Sequence, residues 1–356
     1  SRLDAALWKR EEEVTRPMNL DTTYLKLPLR SPLVVSASPL STSIDNIKRM
    51  EDAGAGAIVL FSLFEEQLRI EQQRHTYRQE HPTATEEDAL AMFPARQPFH
   101  IQLDHYVDHI RKAKEAVSVP IIASLNCQSL GTWTDFAEQI EAAGADALEL
   151  NIYYLPTSMD RAAEHIEDMY LHILKVVRSA VSLPVAVKLT PFFTNLAHVT
   201  RRLDQAGASG LVLFNRFYQP DLDPVTLRVR SETPLGTSQD ARLVLHWIAL
   251  LYGNVKADLA ATGGIYTAED VVKMLMAGAK VTMLASVLLK KGIDYLSTLE
   301  KNLRAWLDQN DYSSVADLQG IISQFRSRDP GAFERSAYIR AITSAEFLVW
   351  PRTEFD

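Results

Sequence analysis

One phrase recurs four times along this chain: EDAGAGAIVLF at 51–61, EAAGADALELN at 141–151, DQAGASGLVLFN at 204–215 and LMAGAKVTML at 275–284. Each reads as a helix end, an Ala-Gly stop and a short apolar run of strand length. Gly54, Gly144, Gly207 and Gly278 stand where a helix ends in left-handed backbone, which glycine adopts without a Cβ clash. Further apolar runs lie between the phrases, at 32–36, 120–125, 184–189 and 258–261. Interleaved, the runs number eight, near residues 33, 57, 121, 147, 185, 210, 258 and 281. They are almost continuously apolar, as strands covered on both faces are.

Segments 44–53, 103–117, 133–143, 166–181, 196–207, 241–252 and 268–277 fill the gaps with apolar residues at helical spacing. Eight strand-then-helix units predict an α/β fold, a (β/α)8 TIM barrel with long loops at its C-terminal mouth. A doubly wound open sheet is the alternative. The insertions 62–100 after the second strand and 216–236 after the sixth would both lie at that mouth. Beyond Gly292 the chain reads as helical through Leu307, and SSVADLQGIIS as another capped helix with Asp317 in its first turn. Residues 1–17 read as an N-terminal extension, native or added, and 18–356 as one barrel domain with a helical tail.

At 356 residues and 47% hydrophobic composition the chain can bury a large core. A formal charge of -8 argues against a nucleic-acid partner. No apolar run reaches the roughly 18 residues of a membrane span, and a cytoplasmic protein is expected. Cys127 is the one cysteine. It excludes an internal disulfide and a multi-cysteine metal or iron–sulfur site, and no metal is expected.

A barrel keeps its reactive groups at the C-terminal strand ends. Reading those off gives Ala37 and Ser38, then Phe61 and Ser62, then Asn126, Asn151, Lys188 and Asn215. The seventh and eighth ends carry Gly263-Gly264 and Ala285-Ser286. Small residues there let backbone N–H groups close on an anion, most often a phosphate. Three carboxamides and a lysine above such a cradle suit a flat heterocycle with carbonyl and ring-nitrogen edges. Lys188 lies in an otherwise apolar strand, where an unpaired ammonium is costly. Its expected role is to neutralise an electron-rich ring or an anionic intermediate.

These pieces resemble the dihydroorotate dehydrogenase family, FMN-containing barrels of pyrimidine metabolism. The likeness is carried by SPLVVSASPL at 31–40, IIASLNCQS at 121–129, AGADALELNI at 143–152, PVAVKLTP at 184–191, LVLFN at 211–215, ATGGIYTAEDVVKMLMAGA at 261–279 and LASVLL at 284–289. The resemblance implies an FMN-dependent oxidoreductase that moves hydride between a dihydropyrimidine-like substrate and the flavin. It assigns Ala37, Ser38, Asn126, Asn151 and Lys188 to the ring, and Gly236, Gly263, Gly264, Ala285 and Ser286 to the phosphate. Asn151, Asn215 and Arg216 are expected on the substrate. A small-molecule substrate is the expected partner. The electron partner is not named by the sequence, and a homodimer is the assembly considered.

The chain departs from the family pattern where the proton is handled. After ELN the family continues with Ser-Cys-Pro or Ser-Ser-Pro, whose Cys or Ser is the general base. Here the text is Ile152-Tyr153-Tyr154-Leu155-Pro156, so Tyr154 becomes the expected proton-transfer residue, with Lys188 and Asn151 as its catalytic companions. A phenol titrates near pH ~10 in water, so it gives a proton more readily than it takes one. The family's lysine after the second strand is replaced by Phe61 or Ser62, and its pyrimidine-binding asparagine loop by the 62–100 insertion, which holds no asparagine. Cys127 follows the third strand and reads as buried filler, not as the base. Two other readings stay open. One is a flavin-retaining binding or regulatory protein; the other is a phosphosugar aldolase-type barrel with Lys188 as Schiff-base lysine.

Overall fold

The computed structural model describes residues 18–81, 85, 88, 92, 103–127, 130–230 and 235–343. The extension 1–17, most of the second half of the 62–100 insertion and Pro234 lie outside the described residues. Eight parallel strands form a closed barrel: β1 (Leu33–Val35), β2 (Ala57–Phe64), β3 (Ile121–Asn126), β4 (Ala147–Asn151), β5 (Val185–Leu189), β6 (Gly210–Leu213), β7 (Asp258–Thr262) and β8 (Val281–Leu284). Closure comes from β8 pairing with β1 in the register Thr282↔Leu33, Met283↔Val34 and Leu284↔Val35. The open doubly wound sheet is thereby excluded.

Helices Ile44–Asp52, Leu103–Ala116, Leu130–Ala142, Ala163–Ala180, Leu196–Gln205, Ala241–Leu251 and Ala268–Ala277 alternate with the strands; Ser286–Lys291 and Tyr295–Gln309 follow β8. The four Ala-Gly stops have positive φ, at 110°, 92°, 95° and 125° for Gly54, Gly144, Gly207 and Gly278. The strand period of two sorts side chains into two cores. Leu148, Leu150, Val185, Val187, Leu211 and Leu213 pack outward between strands and helices. Ala147, Ala186, Val212 and Ala260 point inward and form the smaller interior cluster. Both faces are covered, which explains the almost unbroken apolar text of each run.

Two hairpins have no strong periodic signal in the sequence. Thr22–Tyr24 pairs with Leu27–Leu29, and Tyr24 and Leu25 plug the barrel interior, fully buried. Leu25 N donates to Asp258 Oδ2 at 2.9 Å, which pins the plug to the start of β7. Gly210 makes room for it: a Cβ there would lie 2.7 Å from Leu25 Cδ2. The second hairpin, Asp221–Asp223 with Arg228–Arg230, lies within the 216–236 insertion.

Other expectations need correction. β2 runs on to Phe64, so Ser62 belongs to the barrel wall and the insertion proper begins with the helix Glu65–Glu80. SSVADLQGIIS is not a full helix. Only Val315–Leu318 winds, as a 3-10 turn capped by Ser314 and Asp317. Gly320 N and Ile322 N then donate to Leu275 O and Met276 O, both at 2.9 Å, so the segment docks on its neighbour instead of continuing.

Candidate active site

The inward positions change from apolar to polar toward the mouth. On β3 they run Ile122, Ser124, Asn126; on β4, Ala147, Glu149, Asn151; on β5, Ala186, Lys188. The register sets Ser124 opposite Glu149 and Asn151 opposite Lys188. Ser124, Asn126, Glu149, Asn151 and Lys188 are all buried.

A chain of polar contacts crosses four strands here. Asn151 Nδ2 donates to Ser62 Oγ at 3.1 Å, Ser62 Oγ and Ser124 Oγ share a hydrogen bond of 2.8 Å, and Ser124 Oγ donates to Glu149 Oε1 at 3.4 Å. Lys188 Nζ closes the chain, 3.5 Å from the same Oε1. Glu149 thus supplies the counter-charge that an ammonium in an apolar strand needs. Ser124 and Glu149 were missed in the sequence, although each stands two residues before a strand-end asparagine and so shares its face.

Ser62 reaches this chain through an irregularity. The β2–β3 register shifts between Val59 and Ser62. Phe61 turns outward, its ring 5.1 Å from that of Tyr106, and its backbone N donates to Ser41 Oγ at 2.8 Å. Tyr106 OH accepts from Ser124 N at 3.0 Å and lies within bonding distance of Phe61 O, bracing the bulge. Of the two residues at the family's lysine position, Ser62 is the one that faces the site.

Several polar atoms at the mouth are buried without a partner: Ser38 Oγ, Asn151 Oδ1, Asn215 Nδ2 and, deeper, Glu149 Oε2. Buried polar atoms in folded proteins are nearly always satisfied, since leaving one unpaired costs about 1–3 kcal/mol. The three at the ends of β1, β4 and β6 comprise a hydroxyl, an acceptor and a donor. That set fits the carbonyl and ring-nitrogen edge of a flat heterocycle such as a flavin or a pyrimidine.

The loops over this floor are tied to one another. Tyr170 OH donates to Ile152 O at 2.9 Å, and Tyr218 N donates to Tyr153 OH at 2.8 Å, joining the loops after β4 and β6. Phe192 and Phe217 pack edge to face at 4.5 Å, joining those after β5 and β6. Tyr154 OH accepts from Arg161 Nη1 at 2.9 Å. Tyr153 and Arg161 were not singled out in the sequence; only their place in the β4 loop pointed to them. Cys127 lies buried after β3, and its thiol is pushed up by burial first and by the charges of Glu65 and Glu66 second. It is a poor nucleophile there.

Opposite, the ends of β7 and β8 form a cradle with the segment at Gly236. Gly263 and Gly264 have φ of 105° and 72°. A Cβ on Gly264 would lie 2.2 Å from Ala241 N, so glycine is required for the turn to seat against the helix Ala241–Leu251. Gly263 is open, its nearest neighbour to a Cβ being Val244 Cγ2 at 3.9 Å. Gly236 N donates to Ser286 Oγ at 3.2 Å, and Gly236 O accepts from Lys290 Nζ at 3.1 Å and from Tyr266 OH. The helix Ser286–Lys291 begins after Ala285 with no side-chain cap. No capping side chain therefore meets the first N–H groups of this short helix. Arg216, expected on the substrate side, has its guanidinium near Gly236: Nη1 would lie 3.4 Å from a Cβ built there.

Together these features define the class: a (β/α)8 barrel suited to a ligand held by a polar edge in the mouth and an anionic tail at its last two strands. The family model for dihydroorotate dehydrogenase matches residues 84–307. The chain is 24% identical over 314 residues to the dihydroorotate dehydrogenase B (NAD(+)) catalytic subunit of Methanothermobacter thermautotrophicus, covering 85% of this chain and 98% of that protein. It is 23% identical over 319 residues to the like-named subunit of Thermoplasma volcanium, covering 85% and 98%. To the dihydroorotate dehydrogenase A (fumarate) of Lacticaseibacillus paracasei it is 30% identical over 179 residues, covering 49% and 62%. The chain belongs to the dihydroorotate dehydrogenase family, and it is an oxidoreductase of that kind. No helix among the described residues is long and apolar enough to cross a membrane.

Proposed function

We propose that this protein is an FMN-dependent oxidoreductase acting on the CH–CH bond of a dihydropyrimidine-like substrate, with dihydroorotate the first compound to test. The observation that carries this is the group of buried, unpartnered atoms, Ser38 Oγ, Asn151 Oδ1 and Asn215 Nδ2, at the polar mouth of a family barrel. FMN, when bound, supplies the hydride-accepting N5 atom that the twenty side chains lack.

The chain's own residues bind, orient and handle the proton. Ala37, Ser38, Asn126, Asn151 and Lys188 face the ring in this reading, and Gly236, Gly263, Gly264, Ala285 and Ser286 hold the phosphate. Lys188 presents positive charge to the electron-rich edge while Glu149 anchors it from below. Asn215 and Asn151 take the substrate's carbonyl and N–H groups. Tyr154 handles the proton. Arg161 donates to its oxygen, so the phenolic hydrogen is left to be shared with the substrate.

The test is direct. Purified protein should carry a yellow, flavin-type absorbance that bleaches anaerobically with dihydroorotate or a related dihydropyrimidine. Colourless protein that ignores added FMN sinks the cofactor assignment.

A second reading is favoured by one observation: a tyrosine tied to an arginine stands where the family places its Cys or Ser base. On that reading the protein binds flavin but does not oxidise dihydroorotate. Bound FMN that is photoreduced normally, yet is untouched by dihydropyrimidines, would select it. The aldolase-type reading is the weakest of the three. The family model that matches residues 84–307 is that of dihydroorotate dehydrogenase, which is not an aldolase.

A further inference from the structure

We infer that Arg216 is a side-chain ligand of the cofactor's terminal phosphate, adding a full positive charge to a cradle otherwise made of backbone N–H groups and a hydroxyl. The inference rests on the proposed FMN site and goes beyond it by moving Arg216 from substrate to cofactor.

Three features of the cradle lead there. The first is convergence. A Cβ on Gly236 would lie 3.4 Å from Arg216 Nη1 and 3.4 Å from Ser286 Oγ, so guanidinium and hydroxyl meet over one glycine. The second is donor direction. Ser286 Oγ already accepts from Gly236 N, which leaves its own O–H free to donate to an anion. The third is availability: Arg216 is exposed and has no hydrogen bond or ion pair with any described residue, so the five N–H donors of its fork are open to a ligand. A guanidinium is well matched to phosphate, since its planar N–H pairs can bind two oxygens at once.

The balance of charge at this corner agrees. Asp240 Oδ2 also approaches, 3.1 Å from the same Cβ position, but it accepts from Thr237 N at 2.8 Å within its own turn. Lys290, bonded to Gly236 O, brings a second cation. Two positive side chains against one carboxylate leave the corner net positive, as a phosphate dianion requires. The position directly follows Asn215 on the β6 loop, so one short segment can serve the ring side with Asn215 and the phosphate end with Arg216.

The experiment compares FMN with riboflavin, which has the same ring and ribityl chain but no phosphate. Full-length protein freed of flavin is titrated with each, following the quenching of flavin fluorescence, for wild type, Arg216→Ala and Arg216→Lys. Losing a charge-assisted contact is expected to weaken FMN by about 10- to 100-fold in Arg216→Ala. Riboflavin binding should be unchanged, and Arg216→Lys should recover part of the loss. Added salt should weaken FMN more in wild type than in Arg216→Ala. Equal loss for both flavins, or no loss for either, overturns the inference while leaving the FMN site standing. So does an unchanged FMN affinity with a raised KM for substrate, which would return Arg216 to the substrate side. Wild-type protein that binds neither flavin overturns the FMN reading itself.

Discussion

Lys188 Nζ lies 3.5 Å from Glu149 Oε1, with both side chains buried inside the barrel. The pair spans neighbouring strands, and Ser124 supports the same carboxylate oxygen. Desolvating two charges is expensive, and the geometry is loose for a buried ion pair, so the pair is not evidence of great stability. Removing one partner is another matter, because the other charge is then buried alone. Glu149→Ala should cost about 3–5 kcal/mol, read as a lower urea midpoint for the flavin-free protein. Replacing both residues with Met should recover most of that loss. An unchanged midpoint for Glu149→Ala would show that the ammonium finds water or another partner.

Tyr154→Phe tests the proton step. The phenyl ring keeps the packing but loses the oxygen that accepts from Arg161. Turnover of the physiological substrate is expected to fall by about 100-fold or more, the usual range for loss of a general acid or base. FMN content should stay level. Normal rapid reduction of the flavin in this variant would remove Tyr154 from the mechanism.

Gly263 and Gly264 should respond differently to alanine. Both have positive φ, which costs an L-residue ~1–2 kcal/mol. Only Gly264 adds a clash, with Ala241 N at 2.2 Å, and overpacking of that kind adds about 1–3 kcal/mol more. Gly264→Ala is therefore expected to lower thermal stability clearly more than Gly263→Ala, by calorimetry on flavin-free protein. The opposite order would mean that the turn is not seated on the helix Ala241–Leu251.

Cys127 should be chemically quiet. Burial raises its thiol above the usual range, and Glu65 and Glu66 raise it further, so the proton stays on through neutral pH. Labelling by a thiol reagent at neutral pH should be slow in folded protein, faster at strongly alkaline pH, and complete only in denaturant. Cys127→Ala should keep its activity. Rapid labelling of the native protein together with loss of turnover would reopen a catalytic role for the thiol.

The local signals were strong where one residue type has one dominant physical use. Gly54, Gly144, Gly207 and Gly278 end helices with positive φ, and the runs they introduce are β2, β4, β6 and β8. Gly263-Gly264 stood out for the same reason, with φ of 105° and 72°. Asn126, Asn151, Lys188 and Asn215 could be placed at strand ends because a polar residue that ends an apolar run is conspicuous. Glu149 was not, since ELN reads as strand with or without a partner for its carboxylate.

The sequence by itself determined the eight strand-then-helix units, their order and the residues at their C-terminal ends, because these depend on periodicity and on backbone preferences within a few residues. The tertiary structure decided what those residues touch. Ser62 joins Asn151 only because β2 bulges, Lys188 meets Glu149 only because β4 and β5 are in register, and Tyr24 and Leu25 fill the interior only because the barrel closes. Arg216 follows a strand-end asparagine in the chain, yet its guanidinium lies beside Gly236 and Ser286. Contacts of that range depend on strand register and loop path, which no local pattern of side chains specifies.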